Sequence, residues 1–145
     1  MSKNILSVSE IQELCKRTLI DHLGIEFIEV SYGKVIARMP VDKRTQQPMR
    51  LLHGGATMAL AETVGSVGSY VMVDQSQYDV VGMEINGNHI GNTKSEYVVA
   101  TATIIHKGSK THVWDIRIND QFSNPVSVCR MTNMIIDKIR GREKK

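Results

Sequence analysis

The chain is poor in cysteine. Cys15 and Cys129 are the only two, far apart and in no metal-ligand spacing, so they read as buried reduced thiols rather than as a disulfide or half of a metal site. No uninterrupted run of about 18 apolar residues occurs, and Met1 to Val8 lacks a basic stretch followed by an apolar one. Membrane spanning and export are therefore disfavoured, and a cytoplasmic protein is expected. The formal net charge is only +3, with much of the excess in Lys138, Arg140, Arg142, Lys144 and Lys145 and around Lys107 and Lys110, which does not make a basic face for nucleic acid. Phosphate-loop, dinucleotide and Gly-x-Ser-x-Gly signatures are all missing. So is metal-type spacing among His53, His89, His106 and His112, and no metal is expected.

What is present suits one globular domain over residues 1–145, with 41% apolar and 23% charged residues. Ser7 and Glu10 have capping-box spacing, and Ile11, Leu14, Cys15 and Thr18 recur at helical period, so a first amphipathic helix is predicted to about His22, ended by Gly24 and covering an edge of something larger. The period then changes to two. Ile25 and Phe27 alternate with Glu26, and Val35, Ala37 and Met39 alternate with Lys34, Ile36 and Arg38, across the Tyr32-Gly33 turn, which predicts a hairpin. A polar loop from Pro40 to Arg50 leads into the longest apolar stretch, Leu51 to Val73. Beyond a polar break at Asp74 to Gln77, four strands are predicted at Val80 to Asn88, Glu96 to Ile105, His112 to Asn119 and Val126 to Ile136. The turns between the last three suit antiparallel neighbours. Gly141 to Lys145 reads as a frayed end. These elements fit an α+β arrangement, an antiparallel sheet curled around one central helix.

That helix carries the functional signal. From Ala56 to Val73 it is apolar or small on every face, which predicts an interior position. Glu62 is its only charge, and no Lys or Arg occurs between Arg50 and Lys94 to balance it. Glu62, Ser66 and Ser69 form one polar stripe, while Met58, Val67, Tyr70, Met72 and Met83 read as core. Two readings of Glu62 stand at this point: a structural carboxylate satisfied by hydroxyl and backbone donors, or a reacting group. His53-Gly54-Gly55 favours the second, because two glycines opening a helix let a substrate oxygen approach unpaired N–H groups at its positive end. His53 is expected to hold that turn through its ring. Gly55 and Glu62 lie seven positions apart, about 10 Å along a helix, whereas a reacting carbonyl needs both within about 3 Å. A two-fold dimer with antiparallel central helices would pair Gly55 of one chain with Glu62 of the other. The small residues Ala61, Gly65 and Gly68 are read as room for that second backbone.

At these residues the sequence resembles the hotdog-fold acyl-CoA thioesterases, over most of its length. Gln47-Pro48, Leu51-Leu52-His53-Gly54-Gly55-Ala56 and Leu60-Ala61-Glu62-Thr63-Val64-Gly65-Ser66 look like the glutamate-type branch, which contains 4-hydroxybenzoyl-CoA thioesterase, 1,4-dihydroxy-2-naphthoyl-CoA hydrolase and the enterobactin-pathway proofreading thioesterase. The resemblance implies a hotdog fold, hydrolysis of an acyl-CoA or acyl-carrier thioester, and no cofactor beyond coenzyme A within the substrate. It implies Glu62 as nucleophile or general base, Gly55 N–H as oxyanion donor, Gln47 and His53 positioning the thioester, Ser66 beside the attacking water or acyl group, and His89 near the thioester. Dimers or tetramers with interface sites are implied as well. Relatives often have Arg-Pro where this chain has Gly91-Asn92, and Arg where it has Ser109. In the turn Lys107, Gly108, Ser109, Lys110 the two lysines read either as charge for nucleotide phosphates or as solvated turn residues. Two rival readings accompany the enzyme: a hotdog dehydratase, disfavoured because its histidine usually precedes a longer loop, and a non-catalytic acyl-CoA-binding module, which predicts a non-acidic residue at position 62.

Overall fold

The computed structural model describes residues 5–138. The ends of the chain, including the expected frayed segment Gly141 to Lys145, lie outside the described residues. Two short helices, α1 (Val8–Leu14) and α2 (Leu19–His22), precede strands β1 (Glu26–Ser31) and β2 (Lys34–Pro40), the long helix α3 (Gly54–Met72), and strands β3 (Tyr78–His89), β4 (Tyr97–Lys107), β5 (Thr111–Asp120) and β6 (Pro125–Asp137). The strands form one six-stranded antiparallel sheet in the order β1-β2-β4-β5-β6-β3. α3 lies in its concavity. This is the expected hotdog arrangement, and the hairpin, the long helix and the four later strands appear close to their predicted bounds.

The first helix differs from expectation. Ser7 and Glu10 make the capping box, but the helix ends at Leu14, and Arg17 takes a left-handed φ of 61° before α2 begins. Local side-chain bonds compete with the helix there: Thr18 Oγ1 donates to the Cys15 carbonyl at 2.6 Å, and the Arg17 N–H donates to Asp21 Oδ2 at 3.0 Å. With the helix interrupted, Leu14 is exposed rather than packed. α1 does cover a sheet edge. Its Gln12 side chain donates to the Ile25 carbonyl at 3.1 Å and accepts from the Phe27 N–H at 3.0 Å, standing in for a neighbouring strand.

The core lies between the sheet and one side of α3. Val35, Ala37 and Met39 of β2 and Trp114, Ile116 and Ile118 of β5 are all fully buried against Leu60, Ala61 and Val64 of the helix. Each such large apolar side chain contributes about 1.5–3 kcal/mol by burial. The three small helix residues do not await a second backbone. Ala61 is fully buried in the core, a Cβ on Gly65 would lie 2.8 Å from Met131 Sδ, and one on Gly68 would lie 2.4 Å from Trp114 Cη2. Their smallness admits side chains of the chain's own sheet, which removes that argument for a dimer. Cys15 and Cys129 are free and buried, and burial pushes both thiols up.

Candidate active site

The residues singled out in the sequence fall at three stations along α3, whose 19 residues span about 27 Å. At its N-terminus the loop is pinned by the His53 N–H, which donates to the Thr45 carbonyl at 2.8 Å. His53 is the N-cap, and its ring Nδ1 accepts the Gly55 N–H at 2.8 Å, the hydrogen bond expected of it. His89, from the end of β3, lies against the same turn: a Cβ on Gly54 would sit 2.8 Å from His89 Nε2, so only glycine admits the ring there. His89 Nδ1 is hydrogen-bonded to Ser127 Oγ at 2.7 Å. Ser127 was missed by sequence reasoning, because only the β3–β6 register places it opposite His89. Gln47 lies in the turn before α3. Its N–H donates to the Leu51 carbonyl, and its side-chain oxygen accepts the Met49 N–H.

At mid-helix, Glu62 is exposed in the chain, not buried as expected. The apolar pattern was correct, but Glu62 lies outside the buried core, at the margin of the covered side and beside the edge strand β3. Among the described residues no Lys or Arg pairs with it. Its Oε1 lies 2.6 Å from where a Cβ on Gly82 would be, so β3 leaves a gap that the carboxylate fills. Gly82 adjoins a β-bulge, where the register shifts between Gly82 and Glu84. A glycine inside a strand-like run was the available signal for this close approach. Beside Glu62, the side chains of α2 and α3 bound a mostly apolar cavity that includes Ser66 and Val67. Val67 packs against the core and also lines this cavity, whereas Met83 is exposed and not core. Ser69 does not belong to the stripe. It is fully buried on the sheet side, accepting from Trp114 Nε1 at 2.9 Å and Asn133 Nδ2 at 2.8 Å.

At the C-terminal end of α3 lies the β4–β5 turn. Lys107, Ser109 and Lys110 are exposed, Lys110 approaches Asp137 at 3.7 Å, and the Gly108 N–H donates to the Thr111 carbonyl at 2.8 Å. Lys107, Gly108 and Ser109 border a cavity of about 220 Å³ with Tyr78 and His112. His112 is buried, its Nδ1 has no hydrogen-bond partner among the described residues, and burial, then Lys107 and His106, hold its pKa below the usual imidazole value. This station and the His53–Gly55 turn are at opposite ends of one helix. A single chain brings together His53, Gly54, Gly55 and His89, and separately Glu62 and Ser66. The lysine turn lies at the other end of the helix from the first of these groups. Among the described residues no group of three His, Cys, Asp or Glu side chains is placed to hold a metal ion.

Comparison with known proteins fixes the class of chemistry. The model of the thioesterase superfamily matches residues 49–123, the stretch that runs from the loop before α3 through β5. The chain belongs to the thioesterase superfamily. Among solved superfamily structures, a thioesterase from Pseudomonas aeruginosa is 40% identical with a TM-score of 0.91, covering 94% of this chain and 98% of that one. A thioesterase from Haemophilus influenzae is 35% identical with a TM-score of 0.91, covering 97% and 98%. The 1,4-dihydroxy-2-naphthoyl-CoA hydrolase of Escherichia coli is 35% identical over 134 residues, 92% of this chain and 98% of that protein. The protein is a thioester hydrolase with the hotdog fold. Among the described residues no helix is long and apolar enough to cross a membrane.

Proposed function

We propose that this superfamily member hydrolyses an acyl-CoA thioester, with Glu62 as the group that activates the attack. The observation that carries this is Glu62 itself: the sole acid of α3, exposed, without a cationic partner among the described residues, and bordering an apolar cavity. As general base, Glu62 takes a proton from water as the water oxygen bonds to the thioester carbonyl carbon. The carbon–sulfur bond then breaks, and the proton passes to the leaving thiolate. As nucleophile, the Glu62 carboxylate bonds to the carbonyl carbon as the carbon–sulfur bond breaks and thiolate leaves; water then opens the resulting anhydride to free acid and Glu62, and its proton goes to the thiolate. In either case the Gly55 N–H receives the oxyanion. Gln47, His53 and His89 position the thioester, and Ser66 stands beside Glu62 one helical turn on. Lys107, Gly108, Ser109 and Lys110 meet the nucleotide end. No cofactor is needed, coenzyme A being part of the substrate. The cytoplasm suits the two free thiols.

The site is completed by a second copy of the chain. Gly55 and Glu62 lie seven positions apart on one helix, about 10 Å, so one thioester carbonyl meets both only across an interface. The two sheet edges also differ: β1 is capped by Gln12, whereas β3 is a long edge whose Val81 and Met83 are 42% and 54% exposed.

Thiol release from a panel of CoA thioesters tests the role of Glu62. Glu62→Gln should lower kcat by roughly 10²–10⁴-fold with no loss of melting temperature, and retained thiol release would overturn the assignment. Mixing Glu62→Ala chains with Gly55→Pro chains tests the shared site. Proline at the start of a helix is tolerated but removes the N–H, so each mixed dimer should regain up to one working site; no recovery would sink the dimer.

A further inference from the structure

The cavity beside Glu62 has two walls of different origin. α3 supplies Ser66 and Val67, whereas Leu19, Ile20 and Leu23 come from α2 and its C-cap; the cavity is open on one side and its volume is about 240 Å³. α2 is a four-residue helix held between two residues in the left-handed region, Arg17 at φ 61° and Gly24 at φ 71°. That bracketing sets its direction independently of α1. Leu23 is 8% exposed and anchors the segment in the core, while Leu19 at 63% exposed has no comparable packing.

The lining restricts what can enter. Of its hydroxyls, Thr63 Oγ1 already donates to the Ala59 carbonyl at 2.7 Å, which leaves Ser66 beside the carboxylate. A hydroxylated or charged group deeper in the cavity would meet Leu19, Ile20, Leu23 and Val67 and lose its hydrogen bonds to water without replacement. An engineered cavity of roughly 150 Å³ is enough for benzene. By that measure the present one accepts a single ring or a chain of roughly six to ten carbons.

We infer that this cavity holds the acyl group of the substrate and that Leu19 sets its permitted length. The substrate class is an apolar acyl thioester, straight-chained or with one ring, bearing at most one small polar group within reach of Ser66. The inference rests on Glu62 as the reacting carboxylate, since that places the thioester carbon at the cavity mouth.

The test compares wild type, Leu19→Trp and Leu19→Ala across saturated acyl-CoAs from acetyl to palmitoyl. Tryptophan fills the cavity and should lower the octanoyl-to-acetyl ratio of kcat/KM at least about tenfold, while alanine should move the optimum to longer chains. Identical chain-length profiles in the three proteins would overturn the inference. Because Leu19 is 63% exposed, melting temperatures should stay close to wild type, separating a specificity effect from misfolding. Calorimetric binding of S-alkyl-CoA thioethers reads the cavity without turnover. Affinity that rises with chain length in wild type and flattens in Leu19→Trp supports it, even if Glu62→Gln retains thiol release. Affinity independent of chain length in both overturns it and leaves the role of Glu62 standing.

Discussion

On the side of α3 that meets the sheet, each small or polar residue is committed to a partner. Gly68 receives the Trp114 ring, Gly65 receives Met131, and Ser69 accepts two hydrogen bonds within a buried network in which Asn133 Nδ2 also reaches the Gly65 carbonyl at 3.0 Å. Outside that buried face, Glu62 and Ser66 border a cavity, and Glu62 has no cationic partner among the described residues. The same kinds of residue thus serve stability on one face and stand available for chemistry on the other. Within one helix, the covering sheet decides between these uses.

The comparison is broken most strongly on the sheet side. Gly68→Ala brings a Cβ to 2.4 Å from a fully buried Trp114 ring that has nowhere to move. It should cost about 2 kcal/mol, seen as a melting temperature lower by roughly 4–8 °C, with the folded fraction keeping its specific activity. An unchanged melting temperature would show that Trp114 gives way freely.

The matching change on the open side is Gly82→Ala. Its Cβ would clash with the end of the flexible Glu62 side chain, 2.6 Å away, and otherwise meet only Met131 Cε at an ordinary 3.4 Å, so the carboxylate moves rather than the fold. Melting should hardly change while kcat falls by roughly tenfold, the scale of a misplaced reacting group. A stability loss with unaltered kcat would mean the two faces are not separable.

The smallest effect sharpens the contrast by pH. His112 has its pKa lowered by burial, so the unfolded chain binds a proton more readily than the folded one. Its contribution is constant well above the unfolded value of about 6.5 and is lost as pH falls below it. The carboxyls of Asp42 and Asp120 are lowered by hydrogen bonds, from Arg44 and Asn124 respectively, and lose their contributions only at still more acid pH. Melting temperature should therefore decline by a few degrees between about pH 7 and pH 5, and His112→Gln should flatten that part of the curve.

Period and composition made much of this fold legible. The alternation of Val35, Ala37 and Met39, and of Trp114, Ile116 and Ile118, identified strands and their inward faces, because period two has only two faces to choose between. α3 was recognisable from its length and apolarity, and Glu62 from its isolation. Which way Glu62 points was not legible, since an apolar helix does not announce the side a sheet will cover. For the same reason Gly65 and Gly68 were assigned to the wrong neighbour. The break between α1 and α2 was hidden because Thr18 and Asp21 fit a helical pattern until their local backbone bonds are counted. Ser127 and Gly82 depend on how β3 registers against β6 and lies against α3, which no local pattern encodes.

In the proposed mechanism, the His53 ring on the Gly55 N–H competes with the substrate for the oxyanion donor. A neutral carbonyl arriving at that amide exchanges one neutral hydrogen bond for another and gains almost nothing. An oxyanion gains the difference between a charge-assisted bond and a neutral one, on the order of 1 kcal/mol. With Gly55 as the donor, His53 acts as a threshold. The amide is released to the substrate as negative charge develops, and the stabilisation is reserved for the transition state instead of being spread over every bound thioester.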